Sequence, residues 1–202
     1  MSGNREQAAA GIAAGHFDSL YARDPDPWDA ARSWYERRKR AILSAVLPRE
    51  RFASIYEPGC GNGELSIALA ERCDRLVASD FSEEAVRIAH AKTAHLAHVE
   101  VRRESLPEQW PALSSGAPAF DLIVFSELGY YFDAAQLAEL AALAMASLAP
   151  AGYLLACHWK KDFGDRRQAT HAMHALLDDQ RRLQRRARYE DEDFLLDLWQ
   201  KA

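Results

Sequence analysis

Apolar segments typical of β-strands alternate with segments of helical spacing along most of the chain, and this alternation restricts the fold more than any other feature. The predicted strands are FASIYE, RLVASD, HVEVRR, FDLIVFSE and YLLACHW, and the predicted helices between them cover residues 63–71, 82–93 and 133–148. Strands that alternate with helices form a parallel sheet that is covered on both faces. We therefore predict a doubly wound α/β fold of mostly parallel strands.

The N-terminal part of the chain precedes this alternation. Residues 1–15 are small and polar, so we expect them to be flexible. Helical spacing begins near Ser33 and stops at Pro48, so the segment of about 16–48 is expected to form N-terminal cap helices. The length of 202 residues fits one domain better than two, and we expect a single domain over residues 1–202.

The C-terminal part is predicted to complete the sheet. PAG at 150–152 reads as a turn, a charged helix is expected over roughly 166–184, and DFLLDLW is expected to be the final strand of an antiparallel hairpin at the C-terminal edge. The charged helix carries an arginine cluster that consists of Arg181, Arg182, Arg185, Arg186 and Arg188. Four acidic residues follow at 190–193, so we interpret the cluster as a solvated helix face.

Composition excludes several classes of protein. The net charge is -5, which gives no general attraction to nucleic acid or to an anionic membrane. Polar residues, a proline and a glycine interrupt the apolar stretch at 134–156, which argues against a membrane span. Cys60, Cys73 and Cys157 are scattered, as expected for a protein without structural disulfides or a zinc site. We expect a cytoplasmic protein.

Three glycines stand where the first predicted strand passes into a helix. Gly59, Gly61 and Gly63 form G-x-G-x-G in the segment IYEPGCGNGELS. Because glycine has no Cβ and tolerates positive φ, a flat ligand can lie against such a backbone. A tight turn without a ligand is the alternative, since a lone glycine motif is a weak signal.

Two acids indicate what the glycines contact. Asp80 ends the second strand, about 20 residues after the first glycine, where a carboxylate can accept both hydroxyls of a ribose; a helix cap is the alternative role. Glu57 lies two residues before Gly59 and would repel the pyrophosphate of a dinucleotide. S-adenosylmethionine carries a sulfonium and an α-ammonium group but no phosphate. The acid therefore favours S-adenosylmethionine over a nicotinamide dinucleotide.

These residues resemble those of the class I S-adenosylmethionine-dependent methyltransferases. YEPGCGNG is similar to the first motif of that superfamily, VASD to its ribose-binding strand end, and FDLIVFSELGYYF to its fourth-strand motif. More narrowly, the chain resembles the nodulation protein S family in DPW, WYERRKRAILSAVLP, EPGC, SE-x-x-YY and a DEDFLL-like ending, from about Asp24 to Trp199. The resemblance implies a Rossmann-like fold, S-adenosylmethionine as methyl donor and S-adenosylhomocysteine as product.

The resemblance also implies roles for individual residues. The methionine part of the cofactor would be lined by Glu57, Gly59, Cys60, Gly61 and Gly63. Asp80 would hold the ribose hydroxyls, and Phe81 would lie against the adenine. The superfamily often has an aspartate after the third strand that bonds the adenine; Ser105 stands there in this chain, with Glu104 or the backbone N–H of Leu106 as alternatives.

Residues of the fourth strand and the N-terminal helix are expected near the reacting groups. Ser126, Glu127 and Leu128 would lie beneath the sulfonium, by the same resemblance. Tyr35 and Lys39 are four residues apart on a helix face that is otherwise apolar. Lys39 is predicted to bind the cofactor carboxylate, or else to pack its stem while its ammonium reaches water. Trp28 is expected either to close the pocket or to pack in the core.

Methyl transfer from a sulfonium requires mainly that donor and acceptor are held in line and that water is excluded. An acid–base residue assists by keeping an amine neutral or by taking a hydroxyl proton, and His158 and Glu127 are the candidates. Tyr130 and Tyr131 are candidates for an apolar wall or a sugar-stacking surface. Two histidines at 171 and 174 lack a third ligand, so we predict no metal site.

The resemblance implies a small-molecule substrate, with the amine of an amino sugar or a similar amine as acceptor. The amine-methylating signature Asn/Asp-Pro-Pro-Tyr is absent after the fourth strand, where SELGYY stands, so O-methylation remains open. A non-catalytic S-adenosylmethionine-binding module also remains open, since a fold does not establish catalysis. A nucleic-acid methyltransferase is disfavoured by the acidic total charge and the short chain. The sequence leaves the oligomeric state undetermined.

Overall fold

The computed structural model describes residues 15–111 and 119–202, so the expected flexibility of residues 1–14 lies outside the described residues. The described residues form one seven-stranded sheet. Its strands are β1 (Phe52–Pro58), β2 (Cys73–Asp80), β3 (Val99–Arg103), β4 (Phe120–Ser126), β5 (Leu148–Trp159), β6 (Leu183–Glu190) and β7 (Phe194–Lys201). The predicted strands therefore all occur, with small shifts at their ends.

Helices precede the sheet and connect its strands. They are α1 (15–23), α2 (Trp34–Val46), α3 (Glu64–Ala70), α4 (Glu83–Thr93), α5 (Ala134–Ser147) and α6 (Thr170–Asp178), with a short 3-10 helix at Gly129–Tyr131. Local caps explain two of the starts. The Ser82 hydroxyl accepts a bond from the Ala85 N–H at the start of α4, and Asp133 and Gln136 form a capping box on α5.

The strand order β3-β2-β1-β4-β5-β7-β6 confirms the predicted doubly wound sheet. β1 pairs in parallel with both β2 and β4, β4 pairs in parallel with β5, and the last two strands add antiparallel at the edge. The chain reverses its direction of travel across the sheet between β1 and β4. Ligands in such sheets bind beyond the carboxyl ends of the strands at this reversal. The loops after β1 and β4 therefore meet where a ligand is expected.

Apolar side chains on both faces of the sheet explain why its central strands read as continuous apolar runs. Ile55 and Leu122 face one cluster of buried side chains, which α2 and α3 cover with Leu43 and Leu69. Their sequence neighbours project to the opposite face, into a second cluster that α5 covers; it includes Tyr56, Ile123, Phe125, Leu140 and Trp199. This packing on both faces fixes the positions of β1 and β4, and therefore the positions of their carboxyl ends.

The prediction for the arginine-rich segment was wrong. The helix expected over 166–184 is confined to α6, and Arg185, Arg186 and Arg188 lie on the edge strand β6 rather than on a solvated helix face. The buried strand β7 requires a hydrogen-bonding partner, and charged side chains are common on edge strands because they oppose further pairing. Tertiary pairing thus outweighs the helical reading of the charges.

The predicted turn at 150–152 lies inside the irregular start of β5. Phe120 pairs with Leu148 but Leu122 pairs with Tyr153, so the strand bulges between these two pairs. Ala151 has φ of 58°, in the left-handed region. The proline and glycine that suggested a turn therefore mark a bulge.

Candidate active site

A cavity of about 650 Å³ lies at the carboxyl ends of β1, β2 and β4. Fourteen residues with a predicted role at the site line it: Trp28, Tyr35, Lys39, Glu57, Gly59, Cys60, Gly61, Asp80, Phe81, Ser126, Glu127, Leu128, Tyr130 and Tyr131. Most of them come from the three strand ends and from α2. Four predicted residues do not line it, namely Gly63, Ser105, Leu106 and His158.

Gly61 stands at the floor of the cavity and has no room for a side chain. Its φ is 54°, and a Cβ atom there would lie 2.8 Å from the hydroxyl oxygen of Tyr21. Its N–H donates to Oδ2 of Asp80 at 3.0 Å. Gly63 serves a different purpose, since its Cβ would lie 3.1 Å from the Cα and Cβ of Ala89. Gly63 therefore allows the loop to approach α4, whereas Gly61 keeps the cavity open.

Asp80 joins the glycine loop to the end of β2. Besides the bond from Gly61, its Oδ1 accepts the Ser82 N–H at 2.9 Å. Burial raises the pKa of the Asp80 carboxyl to about 6, against these backbone hydrogen bonds that lower it. The helix cap is Ser82, so capping of α4 does not account for Asp80.

Glu57 is a buried carboxyl whose only hydrogen-bond partner within the described part of the chain is Ser66. The residue is 2% exposed, and the Ser66 hydroxyl donates to its Oε2 at 2.5 Å. No salt bridge reaches Glu57 from residues 15–111 or 119–202. Burial raises the pKa of Glu57 to about 8. A cationic ligand in the cavity would therefore find a carboxyl that lacks a counter-ion.

We expect Glu57→Gln to stabilise the free protein increasingly as the pH rises. The carboxyl has a pKa of about 8 in the folded state and an ordinary value of 4.5, so the unfolded chain ionises first and wild-type stability falls between these values. Glutamine cannot ionise. The Tm difference between Glu57→Gln and wild type should therefore grow from pH 4.5 to pH 8. Glu108→Gln, at an exposed position, is the control, and equal Tm shifts at both pH values would contradict the burial argument.

A second carboxylate, Glu127, accepts hydrogen bonds from several donors in another part of the cavity. Lys39 Nζ lies 2.6 Å from its Oε1, the Tyr130 hydroxyl donates to Oε2 at 2.5 Å, and the Trp159 N–H donates to Oε2 at 3.0 Å. The Tyr35 hydroxyl reaches Oε1 at a longer 3.4 Å. Glu127 itself has φ of 53°, a strained value for a non-glycine residue. Strain of this kind is concentrated at functional sites.

Charges in this cluster are balanced within the protein. Lys39 is 3% exposed, and its ammonium also binds Glu36 at 2.8 Å, so its partners are two carboxylates rather than water. Burial alone would raise the pKa of Glu127, but the ammonium and the hydrogen bonds outweigh it and lower that pKa. Burial and Glu127 raise the pKa of Tyr35 and of Tyr130. The cluster thus presents an ionised carboxylate with phenol donors at neutral pH.

The remaining predicted residues lie outside the cavity. His158 is buried and its ring nitrogens bond Gly129 and His174, so it offers no free atom to a ligand. Ser105 is exposed, with its N–H bonded to Gln109, and Leu106 packs against the second core cluster. Neither of these two residues meets the cavity.

Sequence reasoning missed the aromatic residues that α1 contributes. Phe17 packs edge-on against Phe81 at 5.3 Å and against Tyr131 at 5.5 Å, and it lines the cavity with Tyr21. Trp28, 49% exposed, lines the cavity from the following turn. The turn is anchored to the glycine loop, because the Asn62 amide donates to the Pro25 carbonyl and to Asp26. The aromatic pair in α1 was the available signal, but nothing near it in the sequence marks a site.

Neither a metal-binding cluster nor a membrane-spanning helix occurs in the described part of the chain. Among residues 15–111 and 119–202, no group of three or more His, Cys, Asp or Glu side chains is arranged to hold a metal ion. Within the same residues, every helix is too short or too polar to cross a membrane.

Comparison with known sequences identifies relatives. Residues 55–152 match the family described as "Methyltransferase domain". Nodulation protein S of Rhizobium tropici is 32% identical over 137 residues, which cover 64% of this chain and 53% of that protein. Nodulation protein S of Bradyrhizobium diazoefficiens is 30% identical over 112 residues, which cover 52% of this chain and 49% of that protein. The chain thus spans about half the length of the curated relatives it matches.

Solved structures resemble the chain over more of its length. A candidate methyltransferase from Pseudomonas syringae is 50% identical, with a TM-score of 0.72, and the match covers 84% of this chain and all of that one. N-methyltransferase NodS from Bradyrhizobium japonicum WM9, in complex with S-adenosyl-L-homocysteine, is 26% identical with a TM-score of 0.79. That match covers 93% of this chain and 97% of the other.

Proposed function

Because the chain belongs to the class I S-adenosylmethionine-dependent methyltransferases, close to nodulation protein S, we propose that it transfers a methyl group from S-adenosylmethionine to the amine of a small molecule, such as an amino sugar. One observation carries the proposal: a single cavity is lined by the buried Glu57, which has no counter-ion among the described residues, and by the Glu127 cluster. The first suits a cationic donor, and the second suits an acceptor with N–H groups.

The residues of the cavity fit the cofactor. Its volume of about 650 Å³ lies within the range of small-molecule sites. Gly61 leaves open the space that a Cβ would fill, and Glu57 provides a carboxyl that lacks a counter-ion among the described residues. In the proposal, Gly59, Cys60, Gly61 and Glu57 hold the methionine part. Asp80 holds the ribose and Phe81 the adenine. When bound, the cofactor supplies an activated methyl group on a sulfonium.

The protein's own contribution is to position the acceptor and to exclude water. Oε1 of Glu127 has its longest bond, 3.4 Å, to Tyr35, and an acceptor N–H can replace that contact. Aromatic side chains surround this part of the cavity and keep it apolar; they are Tyr35, Tyr130, Tyr131, Trp159 and Phe163. In the proposal, the Glu127 carboxylate accepts a hydrogen bond from an N–H group of the substrate amine. This bond orients the lone pair of the nitrogen.

The lowered pKa of Glu127 makes it a weak base, because burial is outweighed by Lys39 and the hydrogen bonds. The acceptor amine must then lose its proton to water before it reacts. We expect kcat/KM to rise with pH up to the pKa of the acceptor itself. Two acceptors with different amine pKa values should therefore give profiles with different midpoints. Coincident midpoints would show that a group of the protein controls the rate instead.

The acceptor is tested with matched pairs. Amino sugars and their N-acetylated counterparts are incubated with protein and S-adenosylmethionine, and products are followed by mass spectrometry. We expect a gain of one methyl group on the free amines only. Methylation of the N-acetylated compounds would favour the O-methyltransferase alternative. Absence of any product across amines and alcohols, with S-adenosylhomocysteine bound, would favour a non-catalytic binding module.

A further inference from the structure

A chain of buried polar side chains connects the edge strand β6 to the active-site turn. The Gly129 N–H lies 2.9 Å from Nε2 of His158, whose Nδ1 lies 3.0 Å from Nε2 of His174. Nδ1 of His174 lies 2.8 Å from Oδ2 of Asp197, and Arg188 binds both oxygens of Asp197 at 2.8 and 2.7 Å. These residues come from β5, α6, β7 and β6 in turn. The two imidazoles and the carboxylate are buried.

One proton arrangement satisfies every bond in this chain. A backbone N–H can only donate, so Nε2 of His158 must be the acceptor and its proton must be on Nδ1. His174 then accepts at Nε2 and donates from Nδ1 to the Asp197 carboxylate. Both imidazoles are neutral in this arrangement, in agreement with burial, which lowers the pKa of His158 and of His174. The charged and titratable groups around the pair are Lys39, Arg166, Arg188, His171 and Asp197.

The chain ends at the backbone that carries the catalytic candidates. Gly129 is two residues after the strained Glu127, and Tyr130 follows with its hydroxyl 2.5 Å from Oε2 of Glu127. The turn fits closely against the imidazole: a Cβ on Gly129 would lie 3.1 Å from Nε2 of His158 and 3.2 Å from Sδ of Met173. Displacement of this N–H would therefore shift both partners of the hydrogen bond between Tyr130 and Glu127.

We infer that His158, with its tautomer fixed by His174 and Asp197, is a positioning residue that holds the Gly129 N–H and so directs Glu127 and Tyr130 toward the methyl acceptor. This role rests on the proposed function of Glu127. It replaces the direct acid–base role predicted for His158 from the sequence. A buried polar chain that is satisfied at every member fixes one geometry, whereas an apolar residue at 158 would leave the Gly129 N–H without a partner.

Substitution of His158 by glutamine or by asparagine distinguishes this positioning role from a role in packing alone. The oxygen of His158→Gln reaches the place of Nε2 and can accept the Gly129 N–H. His158→Asn reaches only the place of Nδ1, toward His174. We expect His158→Gln to keep kcat within about threefold of wild type, and His158→Asn to lower kcat about 100-fold, as small misplacements of catalytic groups do. Affinity for S-adenosylhomocysteine should stay within about twofold in both, since Glu57, Gly61 and Asp80 are not touched.

Amide hydrogen exchange of ¹⁵N-labelled protein gives a readout that does not depend on the acceptor. The Gly129 and Tyr130 amides should exchange faster in His158→Asn than in wild type and in His158→Gln. His171→Gln is the control on α6, because His171 is 60% exposed and lies outside the chain. Equal kcat loss in both amide variants, or unchanged exchange in His158→Asn, would overturn the inference. A wild type that methylates no acceptor would instead overturn the proposed function, and the exchange data would still decide whether His158 holds the turn.

Discussion

Gly61→Val is expected to abolish cofactor binding while the protein remains folded. The valine side chain would enter the cavity, and its Cβ alone would lie 2.8 Å from the Tyr21 hydroxyl oxygen. Tyr21 is on α1, so the substitution also pushes this helix away from the loop. We expect the affinity for S-adenosylhomocysteine to fall at least about 100-fold, which corresponds to about 2.7 kcal/mol. Titration calorimetry measures the loss directly.

The φ of 54° at position 61 lies in the left-handed region, which is strained for any residue with a side chain. Folding of Gly61→Val must therefore be checked separately. Gly164→Val is the matched control. Gly164 is exposed, and nothing lies within 4 Å of a Cβ at that position. We expect this control to bind S-adenosylhomocysteine as wild type does. Normal binding by folded Gly61→Val would mean that the glycine loop is only a turn.

Glu127→Gln is expected to lower kcat/KM for methyl transfer about 100-fold, because the carboxylate that positions the acceptor is lost and a small misplacement of reacting groups costs about that much. The neutral amide replaces the anion that accepts bonds from Lys39, Tyr130 and the Trp159 N–H. Its NH2 group also places a hydrogen-bond donor where the substrate amine needs a hydrogen-bond acceptor. Steady-state kinetics with the best amine of the panel measures the effect, and S-adenosylhomocysteine affinity should change far less.

Stability has to be separated from catalysis in this variant. Lys39 is buried, and of the charged partners in the described part of the chain it would retain Glu36 alone, so Glu127→Gln should lower the Tm. The double variant Lys39→Met, Glu127→Gln removes both charges and should recover part of the Tm without recovering activity. Recovery of activity in the double variant would show that Glu127 serves only as counter-ion to Lys39.

The sequence predicts the sheet well where the local signals agree. From β1 to β5, apolar runs and helix caps such as Ser82 and Asp133 indicate the same elements, and the structure confirms them. The signals conflict after residue 160. Charges at helical spacing and an alternating Ala187–Glu190 segment compete there, and only the pairing of β6 with β7 decides between them.

The candidate site is predictable for the same reason that the sheet is. Glu57, Asp80 and Glu127 lie at strand ends, and parallel topology brings those ends together. Contacts that depend on distant packing are not predictable. Phe17 comes from a segment without a recognisable motif, and His158 lies on a strand buried on both faces, where alternation does not tell which way a side chain points.

The two acids differ in ionisation because their surroundings differ. Among the described residues Glu57 has only a hydroxyl partner, and burial raises its pKa to about 8. Lys39 and the hydrogen-bond donors around Glu127 outweigh burial there and lower the pKa of Glu127. The α-ammonium group of a ligand beside Glu57 would stabilise the ionised carboxylate and lower its pKa, so the carboxyl would lose its proton. Binding of S-adenosylhomocysteine near pH 7 should therefore release a proton, which calorimetry in buffers of different ionisation enthalpy can detect.

Calorimetric titration of the wild-type protein with S-adenosylhomocysteine and, separately, with NAD tests the central claim most directly. The Glu57 carboxyl, which lacks a counter-ion among the described residues, and the open space at Gly61 predict saturable binding of S-adenosylhomocysteine and no measurable binding of NAD. Tight binding of NAD with no response to S-adenosylhomocysteine would contradict the account.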